Sequence, residues 1–280
     1  MIRRLALDEI APDRFRAEPN VNGMVRLYGG QVVAQALAAA ERTVAGHRAP
    51  HSCHGYFVRP GNPAVPIDYA VERDRDGRSF SARRVTATQK GEAIFTLAAS
   101  MHVAEPGAAH QLPMPDVPAP ETLVDDAIAI RAMSHRLPAQ HVGYWRNANP
   151  FDFRVVEQVD PIRPVALPPL RHVWFRVKSP LPDDAALHRQ LFTWASDLYL
   201  LHTGLMPLAI GWTDERLQTA SLDHSIWFHA PFRVDDWLLC AMDSPVAGAA
   251  RTLARTAVFT RSGELVASVA QEGLIRMLAG

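Results

Sequence analysis

The sequence predicts an α+β protein built from two similar halves, each a helix followed by several antiparallel strands. Three observations support this prediction: a helical pattern opening each half, a matching order of strand patterns behind an aromatic residue, and a polar turn with glycine at the same place in both halves. Generic α+β chains can drift into similar spacing, but three matches in order favour a duplication.

Each half opens with a helical pattern. The first is GGQVVAQALAAAERTV, residues 29–44, and the second is RQLFTWASDLYLLHTG, residues 189–204. The first segment is rich in alanine and apolar on nearly all faces, which is typical of a helix buried against a sheet. We therefore expect one long helix in each half.

The strand patterns of the two halves align when Phe57 is superposed on Phe228 and Pro60 on Pro231. A strand, a long second strand, a basic third strand and a turn then follow in the same order. This order predicts an antiparallel sheet behind each helix.

Two turns complete the comparison of the halves. They read QKGE at residues 89–92 and RSGE at residues 261–264. Their glycines lie 34 and 35 residues after the aromatic anchors (57 to 91 and 228 to 263). A polar turn with glycine between apolar runs predicts a β-hairpin in each half.

Proline-rich stretches at residues 105–122 and 160–170 favour an extended connection between the halves. Between them, LVDDAIAIRAMSHRL (123–137) predicts a short surface helix, and FDFRVVEQV (151–159) alternates as expected of an edge strand. The predicted domains are an N-terminal repeat at residues 1–105, a proline-rich connecting arm at 106–150 and a C-terminal repeat at 151–280.

The composition excludes several classes of protein. Lys plus Arg equals Asp plus Glu, with 29 of each in 280 residues, so no excess charge indicates nucleic acid or an acidic membrane as partner. Cys53 and Cys240 are too few for a disulfide framework, which suits a reducing compartment. We see no signal peptide, peroxisomal address or membrane-spanning run, and expect a cytoplasmic protein without membrane insertion.

Six segments, in order along nearly the whole chain, resemble the acyl-CoA thioesterase II family. The segments are GGQVVAQALAAA, HSCHGYFVRPG, RDGRSFSARRV, ASDL, LDHSIWFHAPF and VASVAQEGLIR. The resemblance implies a double hotdog: two tandem hotdog repeats, each with a long central helix wrapped by a curved antiparallel sheet. It also implies hydrolysis of fatty acyl-CoA to a free acid and CoA, with no metal or organic cofactor.

The same resemblance implies a catalytic set from the second repeat: Asp197 in ASDL, Ser221 in ASLDHS and Gln271 in VAQEG. Relatives often have Thr at the position of Ser221, and both residues supply a hydroxyl. These residue types suit thioester hydrolysis, because a carboxylate can accept a proton from water and a hydroxyl and a carboxamide can orient it. Helix-start N–H groups at Gly29 and Gly30 are expected to approach the substrate and receive the oxyanion.

The first half lacks two of these groups. Aligning YGGQVV with WASDLY places Gln31 opposite Asp197, and aligning the turns places Ala99 opposite Gln271. A lapsed half-site explains the difference, and so does ordinary drift; two positions do not separate these explanations. Asp197 has a structural alternative as well, since Ser196 and Asp197 have the residue types that cap a helix beginning there.

Other polar residues are weaker candidates. His51, Cys53 and His54 resemble a metal cluster, but alternate residues of a strand point to opposite faces, so zinc is disfavoured and His51 is kept as a substrate-binding candidate. Arg83 and Arg84 are adjacent on a strand, so one faces inward and one outward. Arg84 is the candidate for a CoA phosphate, equally well explained as an exposed strand charge.

Two rival functions stay open at this stage. A hotdog enoyl-CoA hydratase would use Asp197 with His202, five residues on, although the residues expected between them are missing and Gln271 has no role there. A non-catalytic acyl-CoA-binding protein would use the same groove without a base. The expected partners are the acyl-CoA substrate and further copies of the chain, in a homodimer or homotetramer.

Overall fold

The computed structural model describes residues 2–20, 26–137 and 150–279. Contacts divide the chain into two compact units that interleave along the sequence. The first unit contains Met1–His110, Asp184–Asp197 and Leu222–Pro231, and the second contains Gln111–Asp183, Leu198–Ser221 and Phe232–Gly280. The predicted domain boundaries at residues 105 and 150 follow the sequence repeat and stay a prediction; part of the predicted arm, residues 138–149, lies outside the described residues.

The first unit is an antiparallel sheet with two helices. Its strands are β1 (Asp8–Ala11), β2 (Arg14–Ala17), β3 (Arg48–Phe57), β4 (Ile67–Asp76), β5 (Phe80–Gln89), β6 (Glu92–Val103) and β10 (Asp223–Phe228). Their order is β1-β2-β4-β5-β6-β3-β10. Helix α1 (Gly29–Glu41) packs on strands of this sheet, and α3 (Ala185–Ser196) packs on α1.

Helix α1 forms because its sequence is apolar around nearly its whole circumference. Its residues from Gly30 to Ala40 are all buried. The short alanine side chains let the helix lie close to the sheet and to α3, and alanine has the highest helix propensity. The predicted first helix is confirmed, with its end at Glu41 rather than residue 44.

The second unit is a further antiparallel sheet. Its strands are β7 (Phe151–Val155), β8 (Leu170–Val177), β9 (Leu217–Ser221), β11 (Leu238–Gly248), β12 (Arg251–Thr260) and β13 (Leu265–Met277). Their order is β7-β8-β11-β12-β13, with β9 also paired to β13. Its helices are α2 (Asp126–Met133) and α4 (Leu200–Leu205).

The structure confirms the predicted repeat of strands and turns. The aromatic anchors Phe57 and Phe228 are the last residues of β3 and β10, and three antiparallel strands follow each of them. The turn glycines Gly91 and Gly263 have φ of +82° and +90°. Glycine adopts this left-handed region without the steric cost that a side chain brings, which explains why the sequence has glycine at both turns.

The prediction of one continuous helix over 189–204 is wrong. Helix α3 ends at Ser196, and α4 begins only at Leu200. Between them Tyr199 has φ of +67°, a left-handed conformation that interrupts the helical hydrogen bonds. The six-residue α4 packs on β11, β12 and β13, so it is the short counterpart of α1 in the second repeat.

The first part of the proline-rich arm, residues 106–119, has no regular secondary structure and is held by specific contacts. Trp174 Nε1 donates to the carbonyl of Pro118 at 3.0 Å, and the Gln111 carboxamide donates to the Gly263 carbonyl at 2.7 Å. Helix α2 lies within the predicted short helix, and β7 is an end strand of its sheet, as predicted. Among the described residues, no helix is both long enough and apolar enough to cross a membrane.

Candidate active site

The start of α1 is capped by a carboxylate that comes from the end of another helix. Tyr28 precedes α1 and its side chain makes no capping hydrogen bond. Instead, the Gly30 N–H donates to Asp197 Oδ2 at 2.9 Å. Asp197 is the C-terminal cap residue of α3. A carboxylate at a helix N-terminus is stabilised by the partial positive charge of the exposed N–H groups.

Both glycines at this helix start are needed for close packing. A Cβ on Gly29 would lie 2.7 Å from Asp197 Oδ2 and 2.9 Å from the Phe57 ring. A Cβ on Gly30 would clash with the carbonyl oxygen of Trp194. Within this unit, the charged group that approaches the helix start is the Asp197 carboxylate. The expected approach of substrate to Gly29 and Gly30 stays a prediction.

Tyr28 fixes the end of α3 near the start of α1. Its hydroxyl donates to the Trp194 carbonyl oxygen at 2.7 Å, and the two rings lie with centroids 5.6 Å apart. The Trp194 carbonyl belongs to the last turn of α3, where carbonyls lack helical partners. The hydrogen bond therefore holds the turn from which Asp197 projects.

The opposite ends of the two helices are joined by a partly buried ion pair. Arg189 donates to Glu41 Oε1 at 2.9 and 3.1 Å, and the Gln190 carboxamide donates to Glu41 Oε2 at 2.7 Å. Burial raises the pKa of Glu41 above its ordinary value, and Arg189 acts in the opposite direction. The antiparallel helix pair is thus joined at both ends, with Asp197 in one of the junctions.

A serine and a histidine support the residue next to Asp197. Ser196 Oγ donates to the Thr193 carbonyl at 2.9 Å and lies 2.8 Å from His224 Nε2. A hydroxyl has one proton, so His224 Nε2 is the donor toward Ser196. His224 is fully buried. The sequence gives no sign of this contact, because Ser196 and His224 are 28 residues apart.

Ser221 and Gln271 form a second pair of predicted site residues, in the second unit. Gln271 Nε2 donates to Ser221 Oγ at 2.9 Å. Ser221 ends β9, and Gln271 lies fully buried on the neighbouring β13. The register of these strands, with Ser221 opposite Gly273, brings together residues 50 positions apart.

The two arginines alternate as predicted. Arg83 is 1% exposed and donates to Thr43 Oγ1 and Asp76 Oδ1, at 2.8 and 2.7 Å. Arg84 is exposed and donates to Asp74 and Glu72, the shortest distances being 2.9 and 2.7 Å. A CoA phosphate would have to compete with two carboxylates for Arg84, and this predicted role stays untested.

His51 and His54, which lie close together in the sequence, have different surroundings in the structure. Its Nε2 lies 2.8 Å from Ser100 Oγ, and its ring packs edge-on against Phe80. Burial lowers its pKa, and His102 and His54 add to that effect. His54 packs instead against Trp227. In the described ranges, no three His, Cys, Asp or Glu side chains are grouped to hold a metal ion. A substrate-binding role for His51 stays a prediction.

His202, the second residue of the rival hydratase, lies on α4. Its ring stacks on Trp212 with centroids 5.9 Å apart. It belongs to the second unit, whereas Asp197 belongs to the first. The stacking assigns His202 a packing role in the wall of a cavity described below.

Each repeat has an antiparallel sheet packed on a helix, which defines the class as a hotdog protein. A hot dog fold protein of Alicyclobacillus acidocaldarius superposes with a TM-score of 0.78, covering 99% of this chain and 98% of that one, at 18% identity. The protein is therefore a double hotdog, with two such repeats in one polypeptide.

The particular family follows from sequence relatives. The profile described as acyl-CoA thioesterase matches residues 153–274, and that of the acyl-CoA thioesterase N-terminal domain matches residues 18–102. Acyl-CoA thioesterase 2 of Haemophilus influenzae is 38% identical over 99% of this chain and 96% of its own. The crystal structure of acyl-CoA thioesterase II TesB2 from Mycobacterium marinum is 39% identical, with a TM-score of 0.82 over 99% and 98% of the chains. The chain belongs to the acyl-CoA thioesterase family, a family of thioester hydrolases.

Proposed function

We propose that this protein hydrolyses fatty acyl-CoA to a free fatty acid and CoA, with Asp197 as general base and Ser221 and Gln271 orienting the water. Family membership over nearly the whole chain, with a carboxylate at Asp197, is the observation that carries the proposal. The relatives that support it include acyl-coenzyme A thioesterase 8 of Homo sapiens, 37% identical over 98% of this chain and 88% of its own. The rival hydratase is not favoured.

Asp197 accepts the proton of the attacking water in this proposal. The water oxygen forms a bond with the thioester carbonyl carbon while the carboxylate takes one proton. The tetrahedral intermediate then collapses, the C–S bond breaks, and the departing CoA thiolate takes the proton from Asp197. General-base catalysis of this kind contributes roughly 10²–10⁴ in rate. The Gly30 N–H supports the role, because it fixes the carboxylate through Oδ2.

Ser221 and Gln271 supply hydrogen bonds to the water or to the developing oxyanion. Their mutual hydrogen bond supports this role, because it orients both groups before substrate binds. The start of α1 is the further source of positive charge expected from the sequence. The Gly30 N–H at this helix start already donates to Asp197. We therefore assign the partial positive charge of the helix start first to stabilising the Asp197 carboxylate.

The decisive experiment measures thiol release from a series of saturated acyl-CoAs by wild type and Asp197→Asn. The amide keeps the shape of the carboxylate but is not a useful base, so we expect kcat/KM to fall by about 10²-fold or more. Asp243→Asn, which removes the exposed partner of Arg255, is the matched control and should retain full activity. A wild-type protein that releases no thiol, or an Asp197→Asn variant with full activity, would refute the assignment.

We further propose a cytoplasmic homodimer or homotetramer. Cys53 and Cys240 are both free and buried, which suits a reducing compartment. β7 and β1 are end strands in their units, and open strand edges favour pairing between copies. Light scattering coupled to gel filtration tests the oligomer, and a monomer at micromolar concentration would contradict it.

A further inference from the structure

The second unit contains a cavity that the proposed catalysis does not use. Its interior volume is about 70 Å³, and the space it outlines together with open solvent at its mouth is about 550 Å³. Its wall is formed by α2, α4 and the strands β7 and β8, together with nearby loop residues. None of Asp197, Ser221 and Gln271 lines it. The cavity therefore needs an explanation of its own.

A buried arginine in this wall is short of partners. Arg171 on β8 is only 6% exposed, and its Nε has no hydrogen-bond partner among the residues that the structure describes. Burial of an unpaired guanidinium N–H is costly, so such groups are rare unless a ligand or ion completes them. Burial lowers the pKa of Arg171, whereas the charges of Asp126 and Glu157 act in the opposite direction.

The nearby carboxylates are committed to other donors. Asp126 Oδ2 accepts from the Tyr199 hydroxyl at 2.7 Å. Glu157 accepts from the backbone N–H of His172 at 2.6 Å and lies 2.7 Å from its Nδ1. Both carboxylates line the cavity with Arg171. They provide a negative field around the guanidinium without hydrogen bonds to it.

This charge pattern selects the kind of anion that fits. A single guanidinium forms two parallel hydrogen bonds with a carboxylate. A phosphate monoester carries up to two negative charges, and Asp126 and Glu157 would repel it more strongly than a monoanion. The remaining wall is largely apolar, with Ile130, Met133 and Trp212 as members. A small carboxylic acid with a hydrocarbon part meets both requirements.

We propose that this cavity binds an organic monocarboxylate, with its carboxylate on Arg171 and its hydrocarbon part against the wall formed by Ile130, Met133 and Trp212. The proposal does not rest on the thioesterase mechanism, since the catalytic set shares no residue with the cavity wall. It assigns Arg171 a binding role that explains its incomplete hydrogen bonding.

The test uses octanoate and the methyl group of Met133, observed by NMR in protein labelled at the methionine methyls. Met133→Leu identifies the signal among the 8 methionines. We expect a saturable shift of this signal on adding octanoate to wild type. Because a hydrogen bond to a charged group contributes roughly 1.5–3 kcal/mol, Arg171→Gln should weaken the affinity by about tenfold or more. This readout does not depend on enzymatic activity.

Matched variants and ligands separate the alternatives. Arg176→Gln alters another arginine of β8 that does not line the cavity, so it should leave octanoate affinity unchanged. Arg171→Lys keeps the positive charge but loses the planar pair of N–H donors. It should bind octanoate more weakly than wild type if the contact is bidentate. Octanol and octyl phosphate should both bind more weakly than octanoate.

Several results would overturn the proposal. Equal octanoate affinity in wild type and in a folded Arg171→Gln variant would show that the guanidinium does not hold the ligand. Octanol binding as tightly as octanoate would reduce the site to an apolar hole. Tighter binding of octyl phosphate would show that the site selects a phosphate and not a carboxylate. A Met133 signal that does not shift at millimolar octanoate would show that the cavity does not bind this ligand.

Discussion

The helices that open the two repeats differ more than their sequences suggest. In the first repeat, α1 runs unbroken from Gly29 to Glu41 and is buried on almost every side. In the second, the chain leaves helical conformation around Tyr199, and the helix on the sheet is only Leu200–Leu205. The break places Asp197 at a helix terminus, where its carboxylate reaches another helix. In the second repeat the helix on the sheet is therefore shorter, and the break orients the Asp197 carboxylate toward the start of α1.

The equivalent positions of the first repeat hold residues of a different kind. Gln31, aligned with Asp197, is buried in the first turn of α1 and accepts from the Asn20 side chain at 3.1 Å. Ala99, aligned with Gln271, is a buried residue of β6. Both are explained by packing. At these two positions the first repeat has packing residues, and the proposed catalytic groups come from the second repeat alone.

The largest expected effect comes from removing the ion pair between α1 and α3. Arg189→Met leaves the partly buried Glu41 carboxylate without its cation, and the loss of unfolding free energy should approach the roughly 3–5 kcal/mol that breaking a fully buried pair costs. Urea unfolding followed by circular dichroism measures it. Arg84→Met, which breaks only exposed pairs, should cause little change. Equal effects of the two substitutions would contradict the proposed importance of the buried junction.

Gln271→Ala makes the second repeat resemble the first at this position. It removes the carboxamide that donates to Ser221 and that, in the proposed mechanism, also binds the water or the oxyanion. Loss of one oxyanion donor lowers kcat by roughly 10²–10³, and we expect an effect of this size. Thiol release from the best acyl-CoA substrate measures the change. The control is Gln218→Ala. Gln218 lies on β9 and accepts an exposed hydrogen bond from Arg276, so this variant should stay active. If Gln271→Ala retains wild-type kcat, the two repeats differ at this position for reasons other than catalysis.

Tyr199→Phe tests the helix break without removing its ring. The change deletes the hydroxyl donor to buried Asp126, which should cost about 1–3 kcal/mol near neutral pH. Burial already raises the pKa of Asp126, and the Tyr199 hydrogen bond acts in the opposite direction. A raised carboxyl pKa destabilises the folded state as pH rises above the ordinary value of 3.8.

The loss in Tyr199→Phe should therefore be largest at neutral pH and shrink as the solution is acidified toward pH 3.8. Urea unfolding at several pH values, beside wild type, measures this dependence. A loss independent of pH would assign the effect to packing of the ring and not to the Asp126 carboxylate.

The smallest effect is expected from the two cysteines, one in each repeat. Burial raises the pKa of Cys53 and of Cys240 to about 12, so neither forms thiolate at neutral pH. Native protein should react negligibly with a disulfide reagent for thiols, and two equivalents should react after denaturation. Rapid reaction of one thiol in native protein would mark its repeat as the more open of the two.

The sequence allowed prediction of those features that depend on nearby residues. Alternation separated Arg83 from Arg84, and turn glycines located both hairpins, because strand geometry and positive φ act within a few positions. The helix break escaped prediction, since Tyr199 is neither glycine nor proline and its left-handed conformation is imposed by packing. The family resemblance supplied Asp197, Ser221 and Gln271, and their catalytic roles stay predictions.

Contacts between residues far apart in the chain could not be predicted from the sequence. Arg189 and Glu41 are 148 positions apart, and Gly30 and Asp197 are 167 apart. No spacing rule reaches that far, and helix–helix packing decides both contacts. The unpaired Nε of Arg171 likewise depends on the tertiary arrangement. An arginine within an apolar strand pattern does not by itself indicate which of its N–H groups lack partners.

The interleaving of the two units has a consequence for the history of this chain. The first unit includes α3 and β10, which lie beyond the connecting arm in the sequence. A gene cut at the arm would deprive α1 of the helix that covers it and β3 of its neighbouring strand. Each half expressed alone would therefore lack part of the first unit, so an ancestor with separate halves needed a second molecule to supply those pieces.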